Sequence, residues 1–210
     1  MKYSLILLFG WLVTACQGQP GSASAQHQVG GPCQDCEALL DFRLLAPPLT
    51  PTDTLPGYHT TEPRLKITGT VYQQDGKTPA KGIIVYVYHT NQEGIYQPGP
   101  NPVGWETRHG QYRGWMKTSA QGQFTYYTFR PAAYPNGREP EHIHIYVQEP
   151  DTNPFYLDSY YFTDDPLLTD AVRRTLPKRG GSGIVSLKEK NGHWTAHRDI
   201  ILGLNIPDYE

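Results

Sequence analysis

Cysteine is scarce in this chain, with three in 210 residues. That scarcity excludes a cysteine-rich scaffold or a four-cysteine zinc site and leaves room for one internal disulfide. Charge of one sign is missing as well. Eighteen Lys and Arg meet twenty Asp and Glu for a net charge of -2, and no basic run appears, which excludes a nucleic-acid partner. Beyond the first residues, no apolar run approaches the ~20 residues that cross a bilayer as a helix. No internal repeat is visible. What the chain does hold is fifteen Tyr, nineteen Pro and twenty-one Gly, a composition of strands joined by turns rather than of a helical bundle.

The N-terminus has its own pattern. Lys2 is followed by an apolar run from Leu5 to Val13, and then by Val13-Thr14-Ala15-Cys16. A basic start, a short apolar stretch and small residues before the cut describe residues 1–15 as a secretory signal, and the order resembles a bacterial lipobox. The expectation is a lipidated Cys16 and an exported lipoprotein on the periplasmic or outer-membrane side, held to the membrane by its lipid anchor alone. Residues 16–31, rich in Gly, Ser, Ala and Gln, read as a flexible tether. Cys33 and Cys36 remain as an even pair in an oxidising compartment and are expected to form a disulfide. Residues 32–210 suit a single domain with a sizeable core.

Within that domain, short alternating runs dominate. Leu65 to Tyr72 and Gly82 to Thr90 read as strands around an Asp75-Gly76 turn, and residues 112–118 and 123–129 flank Ser119 to Gly122. Both pairs are expected to be hairpins. Pro47 to Pro63 reads as an extended surface arm, Phe155 to Phe162 as one strand, and Asn191-Gly192 as the turn of a closing hairpin. Helix signals are confined to Cys36 to Leu45 and to Leu167 to Thr175, the latter with Asp164 or Asp165 near its start and Pro177 past its end. The pattern predicts an all-β fold, a β-sandwich of about seven or more strands with long connecting loops and one or two short helices.

His142 and His144 stand two apart on a predicted strand, so both imidazoles leave one face and reach one point. Imidazole is the commonest protein metal ligand, but the spacing alone also describes two hydrogen-bonded, half-buried histidines. Tyr146 shares their face, while Ile143 and Ile145 point the other way into a core. Tyr134 lies in the turn before this strand. Tyr96 lies in a long loop, Asn91 to Gln111, that also carries Trp105 and His109; long ordered loops are often functional.

The stretch FRPAAYPNGREPEHIHIYV, with GIYQPG upstream and YYFTDDPLL downstream, resembles the intradiol ring-cleavage dioxygenases, the catechol and protocatechuate dioxygenase family. The resemblance runs from about Leu65 to Leu168. It implies a non-haem Fe(III) enzyme that cleaves a catechol-type ring between its two hydroxyls with O2, acting on a small aromatic diol and leaving room for a homo-oligomer. It implies Tyr96, Tyr134, His142 and His144 as the iron ligands. By the same resemblance, Tyr134 stays bound with the histidines, while Tyr96 leaves the ion and acts as a base. Two phenolates and a hydroxide balance a trivalent charge.

Two positions depart from the family pattern. Glu139 stands where the family has an arginine directly before the proline of Pro-x-His-Ile-His, with Arg138 one place earlier, and Ser159 replaces the glutamine that precedes the later tyrosine. Arg138, Glu139, Ser159 and Trp105 are the positions expected to meet substrate. One of Arg138 and Glu139 should face the iron and the other solvent. Two other readings compete. His-x-His followed by Glu149 matches part of a cupin metal site, and ITGTVYQQDGKTPAKGIIVYVY is similar to non-catalytic transthyretin-like binding modules.

Overall fold

The computed structural model describes residues 27–45 and 49–210. The expected signal segment and the expected lipidation at Cys16 lie outside the described residues. Among the described residues, twelve strands form two six-stranded sheets, the all-β sandwich that the alternating pattern predicts. One sheet is ordered β1 (Thr52–Thr54), β5 (Gln123–Phe129), β2 (Arg64–Tyr72), β11 (His193–His197), β10 (Lys188–Lys190), with β12 (Ile200–Ile201) also pairing β2. The other is ordered β4 (Arg113–Lys117), β3 (Ile84–Tyr88), β6 (His142–Gln148), β8 (Tyr160–Phe162), β9 (Ile184–Val185), with β7 (Phe155–Tyr156) also on β6. The helices are short: a 3-10 turn at Cys36–Asp41 running into α1 (Phe42–Leu45), then α2 (Glu106–His109) and α3 (Asp170–Thr175). No helix among the described residues is long and apolar enough to cross a membrane.

The main core lies between the sheets. β2 alternates strictly, and its buried Leu65, Ile67 and Val71 meet Val85, Val87, Ile143, Ile145 and Val147 from the facing sheet. Each such fully buried aliphatic side chain contributes about 1.5–3 kcal/mol. A second, smaller layer covers the other face of the β3–β6 sheet. There Tyr86, Tyr88, Trp115 and Tyr146 pack beneath Cys36, Ala38 and Leu39 of the 3-10 turn, and Trp115 Nε1 donates to the Leu39 carbonyl at 2.8 Å. This is why β3 is buried on both sides instead of alternating. Asp41 fastens the layer, accepting from Arg113 at 2.6 Å and from the Trp105 amide at 2.7 Å. The Cys33–Cys36 disulfide closes a small loop at its end.

Several expectations about local pairing are corrected. β2 and β3 do not form a hairpin, nor do β4 and β5, because in each case the two strands lie in opposite sheets. The Asp75 turn is tight, its carboxylate accepting from the Lys77 and Thr78 amides at 2.8 Å each, but the chain then crosses the sandwich edge, with Ala80 N bonded back to Val71 O. Turn chemistry marks a reversal; it does not choose the sheet that the next strand joins. The proline-rich arm is stitched in rather than free, since β1 pairs with β5 in one sheet while Asp53 Oδ2 accepts from Trp115 N in the other. The Phe155 to Phe162 strand is broken at Leu157–Ser159, where Asp158 turns aside to accept the Lys178 and Arg179 amides. α3 starts at Asp170 with Thr169 as its cap, three residues later than expected, and Asp164 is used elsewhere, paired with Arg130. The tether ends before Gly31: Val29 is buried and its amide donates to Asn153 Oδ1 at 2.7 Å. The closing hairpin forms as β10 and β11, with Asn191 and Gly192 both at positive φ.

Candidate active site

The site stands on the second, covered face of the β3–β6 sheet. The period of two along β6 sends Ile143 and Ile145 inward and His144 and Tyr146 outward, and antiparallel pairing sets Tyr88 opposite His144 and Tyr86 opposite Tyr146. Tyr88 stacks on His144 with centroids 4.5 Å apart and on His109 at 3.7 Å, so the three rings form one column.

Two loops bring the tyrosines over the histidines. Asn91 organises the first, its side chain accepting from Glu93 N and Ile95 N, and its carbonyl accepting from Ala132 N on the second. Gly94, at φ +75, is the point of closest approach; a Cβ there would overlap the Ala133 carbonyl oxygen. The approach to β6 is pinned by Arg130, which bonds Glu141 at 2.5 Å and Asp164 at 2.8 Å, and by Asp165, which accepts from Glu141 N.

The four side chains singled out by the sequence meet at one point. Tyr96 Oη lies 2.5 Å from Tyr134 Oη and 2.7 Å from His144 Nε2. Tyr134 Oη lies 3.2 Å from His142 Nε2 and 3.4 Å from His144 Nε2, and the two Nε2 atoms are 3.1 Å apart. Donors each about 2 Å from a shared ion stand at such spacings. His142 Nδ1 donates to the Pro140 carbonyl at 2.7 Å, which leaves the Nε2 lone pair facing the cluster. Among the described residues, no group of three or more His, Cys, Asp or Glu is placed to hold a metal, so any ion here depends on the two phenols.

Electrostatics favours that chemistry. Burial, and for His144 the neighbouring His142, lowers the pKa of both imidazoles and keeps them neutral, the form that ligates. Burial raises both phenols, with Tyr134 adding to the rise of Tyr96 and the charge of Glu139 adding to both. Phenolates here need a strong positive charge beside them, and a highly charged cation held by all four atoms supplies it.

A cavity of about 350 Å³ opens beside the cluster. It is lined by Tyr88, Tyr96, Tyr134, His144 and Tyr146 together with Gln34, Asp35, Arg108 and His109. The substrate positions expected from the sequence fall differently. Arg138 and Glu139 are both exposed, and neither lines the cavity. Ser159 stands behind His144, its Oγ 3.4 Å from Nδ1, and Trp105 pins the loop, packing against His109 and under Arg108. Asp35, Gln34 and Arg108 carried no sequence signal beyond a place between two cysteines and a place beside a loop histidine. Glu149 sits in a separate recess with His27 and Tyr209, and His193 and His197 lie on the other sheet, so the cupin pattern is not met.

No family model matches the chain. It is 29% identical over 145 residues to catechol 1,2-dioxygenase 1 of Acinetobacter lwoffii, covering 57% of this chain and 45% of that protein. It is 28% identical over 138 residues to the protocatechuate 3,4-dioxygenase beta chain of Burkholderia cepacia, covering 59% and 55%. The chain thus spans about half the length of the curated relatives it matches. In fold it is similar to 3-chlorocatechol 1,2-dioxygenase from Rhodococcus opacus 1CP, with a TM-score of 0.55, 20% identity and coverage of 74% of this chain and 66% of the other. It is also similar to the dioxygenase domain of a carbohydrate-binding fusion protein from Streptomyces sp. SirexAA-E, with a TM-score of 0.51, 20% identity and coverage of 74% and 92%. The chain is thus similar in sequence, over a little more than half its length, to two intradiol ring-cleavage dioxygenases, and it shares the fold of solved dioxygenases.

Proposed function

We propose that the chain is a non-haem Fe(III) dioxygenase that cleaves a catechol-type ring between its two hydroxyls. The observation that carries this reading is the convergence of Tyr96 Oη, Tyr134 Oη, His142 Nε2 and His144 Nε2, every one within 3.4 Å of at least two of the others. Two hard, ionisable oxygens and two neutral imidazoles form a donor set suited to ferric iron. The chemistry supplied by a bound ferric ion is withdrawal of electron density from a chelated diol, which opens a ring carbon to O2. Both oxygen atoms then enter the product, a muconate-type diacid.

The protein's own groups do the positioning. Tyr134, His142 and His144 hold their places through the Arg130–Glu141–Asp165 network and the Pro140 carbonyl. Tyr96, on the loop bordering the cavity, would take a diol proton at Oη, and burial, which raises its pKa, would make its phenolate a willing proton acceptor. Tyr88, stacked between His144 and His109, holds the His144 ring in place.

The test is metal content and the visible spectrum of the purified protein. Tyrosinate donating into Fe(III) gives an absorption band, so the protein should be coloured, with one iron per chain, and Tyr134→Phe or His144→Ala should bleach it. Catechol added with O2 should yield a diacid. A colourless zinc protein indifferent to Tyr134→Phe overturns the reading.

A further inference from the structure

The cavity is larger than a bare ring needs. A pocket of ~150 Å³ already holds benzene, while this one measures about 350 Å³. Its far end is built from polar groups that ring cleavage itself does not use. His109 is 3% exposed, with Nδ1 bonded to Tyr86 Oη at 3.0 Å, yet its Nε2 is buried without a hydrogen-bond partner. That orphan atom faces Asp35 Oδ2 at 3.9 Å, beyond hydrogen-bond reach. Asp35 in turn bonds Arg108 at 2.9 Å and spends no other side-chain lone pair among the described residues. Nε2 is itself enclosed, so His109 closes the back of this end, and the polar groups left facing the cavity are the Asp35 carboxylate and the Arg108 guanidinium.

The backbone shows that this end is held in place. Asp35 sits at φ +63 between the two bonded cysteines and directly before the 3-10 turn. His109 is clamped between Tyr88 and Trp105. Along the stack, Tyr88 separates His144 from His109, and Asp35 and Arg108 line the same cavity as the metal-ligand cluster, where the remote edge of a ring held there by its hydroxyls would reach them.

We propose that Asp35 and Arg108, backed by the enclosed His109, form a specificity subsite for a neutral, hydroxyl-bearing side chain on the catechol ring, and that Asp35 disfavours a carboxylate there. The inference deepens the ring-cleavage reading and rests on it. A hydroxyl satisfies the site in both directions: it donates to the free lone pairs of Asp35 and accepts from Arg108. A carboxylate can only accept, would compete for Arg108, and would meet the Asp35 charge at close range. An alkyl group would leave the Asp35 lone pairs without a donor.

The experiment is a binding titration of the purified protein without O2, using catechol, 4-ethylcatechol, 4-(2-hydroxyethyl)catechol and 3,4-dihydroxyphenylacetate, with thermal unfolding confirming that each variant folds. The hydroxyethyl compound should bind about tenfold more tightly than the ethyl compound, the worth of one charge-assisted hydrogen bond. Asp35→Gly, tolerated at positive φ, should remove that preference. Asp35→Asn should keep it while raising the affinity for the acid by about tenfold. Equal binding of the hydroxyethyl and ethyl compounds by wild type, or a preference unchanged in Asp35→Gly, overturns the subsite while leaving ring cleavage intact. Failure of plain catechol to bind overturns ring cleavage and the subsite with it.

Discussion

Gly94 meets the backbone of Ala133 so closely that no side chain fits between them, and this one contact sets how near Tyr96 comes to Tyr134. A methyl group at Gly94 must push the two loops apart, at a backbone angle, φ +75, that L-residues also resist. Gly94→Ala should therefore cost iron binding more than folding. Iron per chain and the visible band should drop at least several-fold while far-UV circular dichroism stays native. A fully coloured Gly94→Ala protein would show that the loops do not set the spacing of the phenols.

The buried pair of Asp41 and Arg113 ties the N-terminal layer to β4. Both side chains are almost fully enclosed, at 7% and 3% exposed, and Asp41 also caps Trp105 N. Arg113→Met leaves a buried carboxylate uncompensated, which costs about 3–5 kcal/mol. The expected fall in Tm is on the order of 10 °C. A change of a degree or two would mean that the layer is held by its apolar contacts alone.

Acid should loosen the fold through a histidine that does not itself line the diol cavity. His89 is fully buried, and burial pushes its pKa down to about 4. The unfolded chain takes up its proton near pH 6.5 and the native protein only near 4, so stability is complete above 6.5 and falls as the pH drops across that window. The slope from this residue is about 1.4 kcal/mol per pH unit. Denaturation midpoints of metal-free protein at pH 7, 6, 5 and 4 measure it, and His89→Gln should flatten the curve. A midpoint that does not move in wild type contradicts the assignment.

The lipobox-like Val13-Thr14-Ala15-Cys16 makes a prediction of its own. Expressed from the full sequence in a bacterium, the chain should take up labelled fatty acid and sediment with membranes, and Cys16→Ser should abolish both. Label retained by the mutant rules out lipidation at this cysteine.

The parts of the fold visible in the sequence were those governed by local periodicity. The two-residue spacing put His142 and His144 on one face, and the alternation in β2 matched its inner row of Leu65, Ile67 and Val71. Asn191-Gly192 named its hairpin because that turn needs two positive φ angles and the strands on either side are local partners. What stayed hidden was long range. The Asp75 and Ser119 turns look alike whether the chain pairs back or crosses to the facing sheet, and here it crosses both times. Asp35, Arg108 and His109 were obscure for a related reason, since residues in loops follow no period and their meeting depends on a 3-10 turn docking from the far end of the domain. The tyrosines became readable only through resemblance, because fifteen tyrosines offer no internal way to choose two.

The position of β2 bears on how the chain is made. It lies between β5 and β11, and its Thr68 hydroxyl bonds the Ala196 carbonyl, 128 residues further on. On the ribosome, one edge of β2 thus waits unpaired until nearly the whole polypeptide has emerged. Such high contact order slows folding and leaves a sticky edge exposed in the meantime. Truncation from the C-terminus that removes β11 should therefore yield an aggregating chain, even though His142, His144 and both tyrosines are all still present.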